Sequence, residues 1–304
     1  MLDLKLQAEM KPNLFIVGAP KCGTTAWVEY LSSHPDIYFS PVKEPHYFCT
    51  DFVRYRAVRS EEEYLALFED SGSARIVGEA SVWYLYSEAA AAQIRQFNSE
   101  AKILVFVRNQ RDFVPSLHNQ TLYTGDENIR DFEHAWQLSG KRDESNTSRF
   151  CREPTFLDYK NAGQFDRHVE RIFEHFPAGQ VRIFHFDDWS HDPRPTYLEI
   201  MRFLGVADDG RNDFPPVNEA KQSRIRWLAP LIRTAPVKAL RQLIARATGL
   251  RDLRVNAVLS RFNTRRGYAT TVPEPLRKRI DEFYRSSNQR LEPRIWRPGR
   301  ANPN

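Results

Sequence analysis

Short apolar runs alternate with amphipathic stretches along most of this chain. Leu14–Val17 (LFIV) and Lys102–Val107 (KILVFV) are the strongest runs, and Arg75–Glu79 and Val181–Phe186 repeat the pattern more weakly. Short, β-branched-rich runs of this kind predict strands of a parallel sheet covered on both faces. The stretches between them have helical spacing. Ala26, Trp27, Tyr30 and Leu31 share a face after Thr24-Thr25, and Phe165, Val169, Ile172, Phe173 and Phe176 do so within 159–176. Further helices are predicted over 62–68 and 87–97, after Ser116 through Tyr123, and over 195–204. The segment 125–152, rich in charge, Asn and Ser, predicts a mobile loop or lid. Strand–helix alternation is the signature of an α/β fold, with a central parallel sheet flanked by helices and here a helical C-terminal region. No repeat or low-complexity linker interrupts the chain. One domain over 1–304 is expected, with an N-terminal extension over 1–12 and a basic, mostly helical part over 221–304.

One junction organises the rest. The first strand runs into Gly18-Ala19-Pro20-Lys21-Cys22-Gly23, and Thr24-Thr25 open the helix. Where a strand turns through glycines into a helix, backbone N–H groups and the positive end of the helix dipole converge on an anion. Gly18 and Gly23 have the G-x-x-x-x-G separation of a P-loop, and Thr25 takes the place of its terminal Ser/Thr. The expected fold is therefore P-loop-like and three-layered. Thr24 stands where a nucleoside-triphosphate loop carries its lysine, and the lysine of this chain, Lys21, lies inside the loop. Such a loop suits a phosphate chain shorter and differently charged than a triphosphate. A plain glycine turn between strand and helix is the alternative reading.

Composition narrows the class. The 304 residues are 41% hydrophobic and 12% aromatic, enough for one substantial core. No stretch approaches the roughly 18 uninterrupted apolar residues of a membrane span. The N-terminus MLDLKLQAEMKPN carries acids and lacks the apolar core of a signal peptide. Cys22, Cys49 and Cys151 have no metal-ligand spacing and read as free thiols, so a cytoplasmic location and no bound metal are expected. The net charge of +5 hides an asymmetry: residues 221–304 hold 20 Lys and Arg against 5 Asp and Glu, while residues 1–220 hold 24 against 34. A basic C-terminal third suits nucleotide phosphates, a polyanionic acceptor or an anionic membrane surface, or is simply a solvated basic face. Nucleic acid is not an expected partner. The basic amphipathic stretch 223–262 fits either a membrane-surface segment or a helical pair covering the core.

The loop GAPKCGTT resembles the 5′-phosphosulfate loop of the sulfotransferases that use 3′-phosphoadenosine 5′-phosphosulfate (PAPS). Pro41–Phe48 (PVKEPHYF) resembles the E-P-H-F-F-type segment of the heparan sulfate O-sulfotransferase branch. The resemblance extends, with falling specificity, from about Asn13 to Leu291. It implies that Lys21 lies beside the bridging oxygen and that Cys22, Gly23, Thr24 and Thr25 hold the 5′ end of PAPS. It also implies Glu44 as general base, with His46 the rival base or an orienting group and Lys43 a second orienting group. The reading of Glu44 as a surface partner of Lys43 stays open. Arg108 and Ser116 match the Arg and Ser that grip the 3′-phosphate in the family pattern R-N-P-x-x-R-x-x-S, whereas Gln110 and Phe113 depart from it. A structural salt bridge is the competing role for Arg108. Arg266 and Gly267, within Arg265-Arg266-Gly267-Tyr268, sit where relatives carry a basic loop closing on the 3′-phosphate. The segment Gly78–Tyr84 matches G-E-x-(S/T)-P-x-Y with Val82 in place of Pro. Trp83, Tyr84 and Tyr86 there are either sugar-stacking platforms or core aromatics. Animal Golgi relatives are membrane-anchored, and this chain resembles a soluble bacterial-type form.

Three function classes follow. The first is PAPS-dependent sulfuryl transfer to an acceptor hydroxyl on a glycan, a glycolipid, or a lipid or natural-product alcohol. The second is a P-loop nucleotide kinase or NTPase, which Thr24 at the lysine position disfavours. The third is a membrane- or polyanion-binding protein on a vestigial nucleotide fold. In the first, in-line transfer resembles phosphoryl transfer, and the protein holds both ends of the donor and removes the acceptor proton.

Overall fold

The computed structural model describes residues 11–143, 145–217, 221–223, 264–266 and 272–300. In chain order the elements begin with β1 (Leu14–Gly18), α1 (Thr24–Ser32), β2 (Ile37–Phe39), α2 (Glu61–Leu65), β3 (Ile76–Ala80) and α3 (Ala90–Phe97). β4 (Lys102–Val107), α4 (Gln110–Thr124), α5 (Phe132–Gln137), α6 (Tyr159–Ala162) and α7 (Phe165–His175) follow. After β5 (Val181–His185), α8 (Phe186–Trp189) and α9 (Arg194–Leu204) come the short strands β6 (Lys221–Ser223) and β7 (Thr264–Arg266), then the C-terminal helix Glu274–Leu291. The described residues fall into two compact units, one within Met1–Phe113, Gly163–Val217 and Arg279–Asn304, the other within Val114–Ala162 and Asn218–Lys278.

The first unit holds the sheet, ordered β2-β3-β1-β4-β5 with every pairing parallel. Leu14 to Val17 and Ile103 to Val107 are fully buried, as strands covered on both faces must be. β1 is central, with β3 on one side and β4 on the other. The chain leaves it for the β2–β3 side and later crosses back to β4, so the end of β1 is a topological switch point, where open α/β sheets bind ligands. Trp27 of α1 stacks on Phe106 of β4 at 5.5 Å between centroids and meets Trp189 edge-on at 5.4 Å. Each such pair adds about 0.5–1.5 kcal/mol beyond the area it buries. At the sheet edge the Trp296 N–H donates to Ile183 O at 2.9 Å.

Several boundaries differ from the sequence pattern for identifiable reasons. α3 starts at Ala90 rather than Ser87 because Ser87 Oγ accepts from the N–H groups of Ala89 and Ala90, acting as a cap outside the helix. The run 159–176 is two helices. The break falls at Gly163, where a Cβ would lie 2.5 Å from the Tyr284 ring of the C-terminal helix. α2 ends at Leu65 and passes into a 3-10 turn over Ala66–Ser71.

In the second unit the segment 125–152 is not a loose loop. It contains α5 and is tied down by two buried carboxylates. Asp126 Oδ2 accepts from Arg152 Nη2 at 2.9 Å, and Glu127 Oε2 accepts from Arg142 Nη2 at 2.8 Å and from the Tyr159 hydroxyl at 3.0 Å. Two of the charges expected on a mobile loop or lid, Asp126 and Glu127, are buried and paired with Arg152 and Arg142. β6 and β7 form an antiparallel pair. The rest of the basic stretch 223–262 lies outside the described residues.

Candidate active site

At the C-terminal end of β1 the chain turns through five residues, 19–23, into α1. Ala19 N–H donates to Phe106 O at 2.6 Å, fastening the turn to β4, and Leu85 N–H donates to Val17 O at 2.8 Å, fastening the end of β1 to the segment that follows β3. Gly23 has φ +82, and a Cβ there would lie 2.2 Å from the Trp189 ring, so both conformation and crowding require glycine. No side chain caps α1. Its first intrahelical acceptor is Gly23 O, taken by Ala26 and Trp27, so the N–H groups of Gly23, Thr24 and Thr25 precede the helix's own hydrogen bonds. Thr24 is buried and Thr25 half-buried. Lys21 is exposed and has φ +64.

Cys22, beneath the loop, is fully buried. Burial pushes its thiol far above the ordinary range, while the charges of Arg108 and Lys21 pull the other way. Lys21, Cys22 and Arg108 are thus one electrostatic group. Arg108, just past β4, lays its guanidinium 4.5 Å from the Phe186 ring centroid. Its Nε is buried and has no hydrogen-bond partner among the described residues. A cavity of about 240 Å³ adjoins Arg108, lined also by Asn109, Gln110, His185, Asn288 and Arg297. The two departures from the Arg-containing pattern are explained by packing. Gln110 Nε2 donates to Gly163 O and Asn288 Oδ1, and Phe113 is fully buried against Phe165.

Glu44 lies beyond β2, outside the strands. Its N–H donates to Ala80 O at 3.0 Å, which places it at the C-terminal end of β3, beside β1. Its Oε1 accepts from Lys43 Nζ at 2.7 Å, and its Oε2 lies 3.6 Å from His46 Nε2. Burial alone would raise its pKa, but Lys43 and His46 outweigh that and hold the carboxyl well below the usual range. Glu44 is therefore ionised at neutral pH while its side chain stays 37% exposed. His46 is buried, with Nδ1 unpartnered and the ring 6.2 Å from that of Tyr84.

Ser116 sits half-buried in α4, in the part of that helix belonging to the second unit. Arg266 ends β7, paired with Lys221, and Gly267 lies outside the described residues. Trp83 and Tyr84 are buried, so the core reading holds for them, and Tyr86 is half-buried against Trp83 and His168. Glu79, matched in the sequence only as the acid of the G-E-x-(S/T)-P-x-Y segment, had no role assigned to it. It is buried at the end of β3 and accepts three hydroxyl hydrogen bonds, and burial pushes its pKa up to about 7 against those bonds. The signal for it was a lone acid inside an apolar strand run.

The profile of the sulfotransferase domain matches residues 11–214, which span the loop, the Glu44 turn and Arg108. The chain belongs to the sulfotransferase family. It is 32% identical to a sulfotransferase from Alicyclobacillus acidocaldarius of known crystal structure, with a TM-score of 0.61, covering 69% of this chain and 87% of that one. It is 27% identical over 195 residues to the mouse heparan sulfate glucosamine 3-O-sulfotransferase 3B1, covering 64% of this chain and 46% of the relative. It is 31% identical over 159 residues to rat carbohydrate sulfotransferase 15, covering 38% of this chain and 28% of the relative. The chain thus spans about half the length, or less, of these curated relatives. In this sulfotransferase the family's loop and Arg stand at one end of one sheet, and the carboxylate of the E-P-H segment is delivered there by a turn.

Proposed function

We propose that this sulfotransferase moves the sulfuryl group of PAPS to an acceptor hydroxyl on a carbohydrate or glycolipid, with Glu44 as general base. The observation that carries the reading is the combination, at one switch point, of an uncapped helix start and the buried, unpartnered Nε of Arg108. Donors left over on this scale suit a ligand with several phosphoryl or sulfuryl oxygens. PAPS, when bound, supplies an activated sulfuryl group and an adenosine bisphosphate leaving group.

The chain's own residues divide the work. The N–H groups of Gly23, Thr24 and Thr25 would hold the 5′ end, with Lys21 beside them to neutralise charge that develops on the leaving oxygen. Arg108 offers a planar fork to a phosphate dianion. Glu44, ionised and partly exposed, takes the acceptor proton, and Lys43 and His46 orient it. An acceptor sugar is supported by the similarity to heparan sulfate and carbohydrate sulfotransferases, and a lipid or natural-product alcohol is the second reading. A reducing, cytoplasmic setting is supported by three buried thiols with no disulfide. The basic residues of 221–304 favour a polyanionic acceptor or an anionic membrane surface.

Calorimetric titration separates the classes. Adenosine 3′,5′-bisphosphate should bind far more tightly than ATP·Mg²⁺, and the reverse order would return the chain to the kinase class. A screen with labelled PAPS against heparan sulfate, other glycans and lipid alcohols then identifies the acceptor.

A further inference from the structure

Glu79 has a place in the fold that the chemistry above leaves unused. Its carboxyl is buried to 1% exposure. Tyr64 and Tyr84 donate to Oε1 at 2.9 and 2.7 Å, and Ser81 donates to Oε2 at 2.8 Å. Two of these hydroxyls also serve the turn that carries Glu44. Ser81 Oγ accepts the His46 N–H at 3.0 Å, and the Tyr84 hydroxyl accepts the Phe48 N–H at 3.3 Å. The turn needs such ties, because Glu44 has φ +62 and His46 has φ +51. For residues with a Cβ that region costs about 1–2 kcal/mol each.

A hydroxyl has one proton. Ser81 and Tyr84 can present a lone pair to a backbone N–H only while their own protons are directed elsewhere, and the Glu79 carboxylate receives both. We infer that Glu79 is a positioning residue: by accepting the protons of Ser81 and Tyr84 it aims their lone pairs at His46 and Phe48, and so holds the left-handed turn that presents Glu44. Its consequence for turnover rests on Glu44 being the base. Tyr64 separates this role from mere burial. It donates to the same carboxylate, yet among the described residues its hydroxyl makes no hydrogen bond to the turn, and its ring packs on Tyr47, Phe48, Phe68 and Phe97, contacts that a phenylalanine keeps.

The test is amide hydrogen exchange on the full chain, with kinetics on PAPS and heparan sulfate. Glu79→Gln puts an NH₂ where one acceptor oxygen stood, and Ser81→Ala removes one lone pair. Both should speed exchange at His46, Phe48 or both by roughly tenfold or more, and Tyr64→Phe should leave it within about threefold. Both should lower kcat at least about tenfold while KM for PAPS stays within about threefold, as expected when a catalytic group is misplaced. Unchanged exchange in Glu79→Gln and Ser81→Ala, or equal acceleration in Tyr64→Phe, would overturn the inference. A wild type that transfers nothing to heparan sulfate counts against that acceptor and the proposed function, while the exchange data still decide the role of Glu79.

Discussion

Glu44 and Glu79 are carboxylates that their surroundings push in opposite directions, Glu44 down and Glu79 up. Glu44 is held low by Lys43 and His46 despite burial, so it is ionised at any physiological pH. Glu44→Gln keeps the shape and should reduce turnover by ~10²–10⁴ while PAPS affinity stays within a few-fold. His46→Ala should cost less, and a dead His46→Ala beside an active Glu44→Gln would transfer the base role to the imidazole. Lys43→Ala removes the nearest cation, so the acidic limb of the kcat profile should move to higher pH. Glu79 is pushed up to about 7 by burial, against its three hydrogen bonds. Between its ordinary value and that one, the folded state binds a proton the unfolded chain lacks, so this group stabilises at acid pH and the contribution is lost as pH rises through 7. Wild type should therefore lose about 2 kcal/mol more than Glu79→Gln between pH 5.5 and 8 in urea unfolding. Equal pH dependence in the two proteins would show that Glu79 titrates normally. Arg108→Ala should weaken adenosine 3′,5′-bisphosphate by roughly 2–4 kcal/mol and adenosine 5′-phosphate hardly at all. Equal weakening would mean that Arg108 does not read the 3′ group.

Between elements, the loop depends on what packs over it. Gly23→Ala should cost about 2 kcal/mol or more, since the new Cβ meets the Trp189 ring at 2.2 Å on a backbone already at φ +82. Gly205→Ala, at the C-cap of α9, is the comparison, with φ +75 and ψ +29 in the left-handed region and open space around it, so only the conformational cost of about 1 kcal/mol applies. Thermal unfolding that moves equally in the two variants would show that Trp189 yields. Elements of this kind were legible to different degrees. β1, β4 and the loop could be read because their signals are local: an apolar run buried on both faces, then glycines that nothing else can replace. The end of α3 at Phe97 was equally clear, while its start was misplaced because Ser87 caps from outside. The break at Gly163 depends on Tyr284, more than a hundred residues away in the chain. The ties within 125–152 depend on pairings such as Glu127 with Arg142, and a charged stretch does not announce whether its charges face water or one another. The Lys21, Arg108 and Glu44 candidates were accessible because strand ends and turns carry them. Glu79 was not, because its role is defined by three hydroxyls that reach it from two separate segments.

Over the whole molecule the dominant feature is charge distribution. Residues 1–220 carry a net −10 and residues 221–304 a net +15. A field of that asymmetry acts at a distance, so the proposed role of the basic third in drawing a polyanionic acceptor belongs to encounter rather than to chemistry. Exposed charges are screened beyond ~10 Å at 0.1 M salt, whereas contacts enclosed around a nucleotide are screened far less. The two contributions therefore separate with ionic strength. With heparan sulfate as acceptor, kcat/KM should fall steeply between low and physiological salt, while the affinity for adenosine 3′,5′-bisphosphate should fall less. A short, uncharged sugar acceptor should lose the steep dependence and keep the shallow one. If kcat/KM with heparan sulfate is as salt-insensitive as with the neutral sugar, the basic third is a solvated face that plays no part in bringing the acceptor to Glu44.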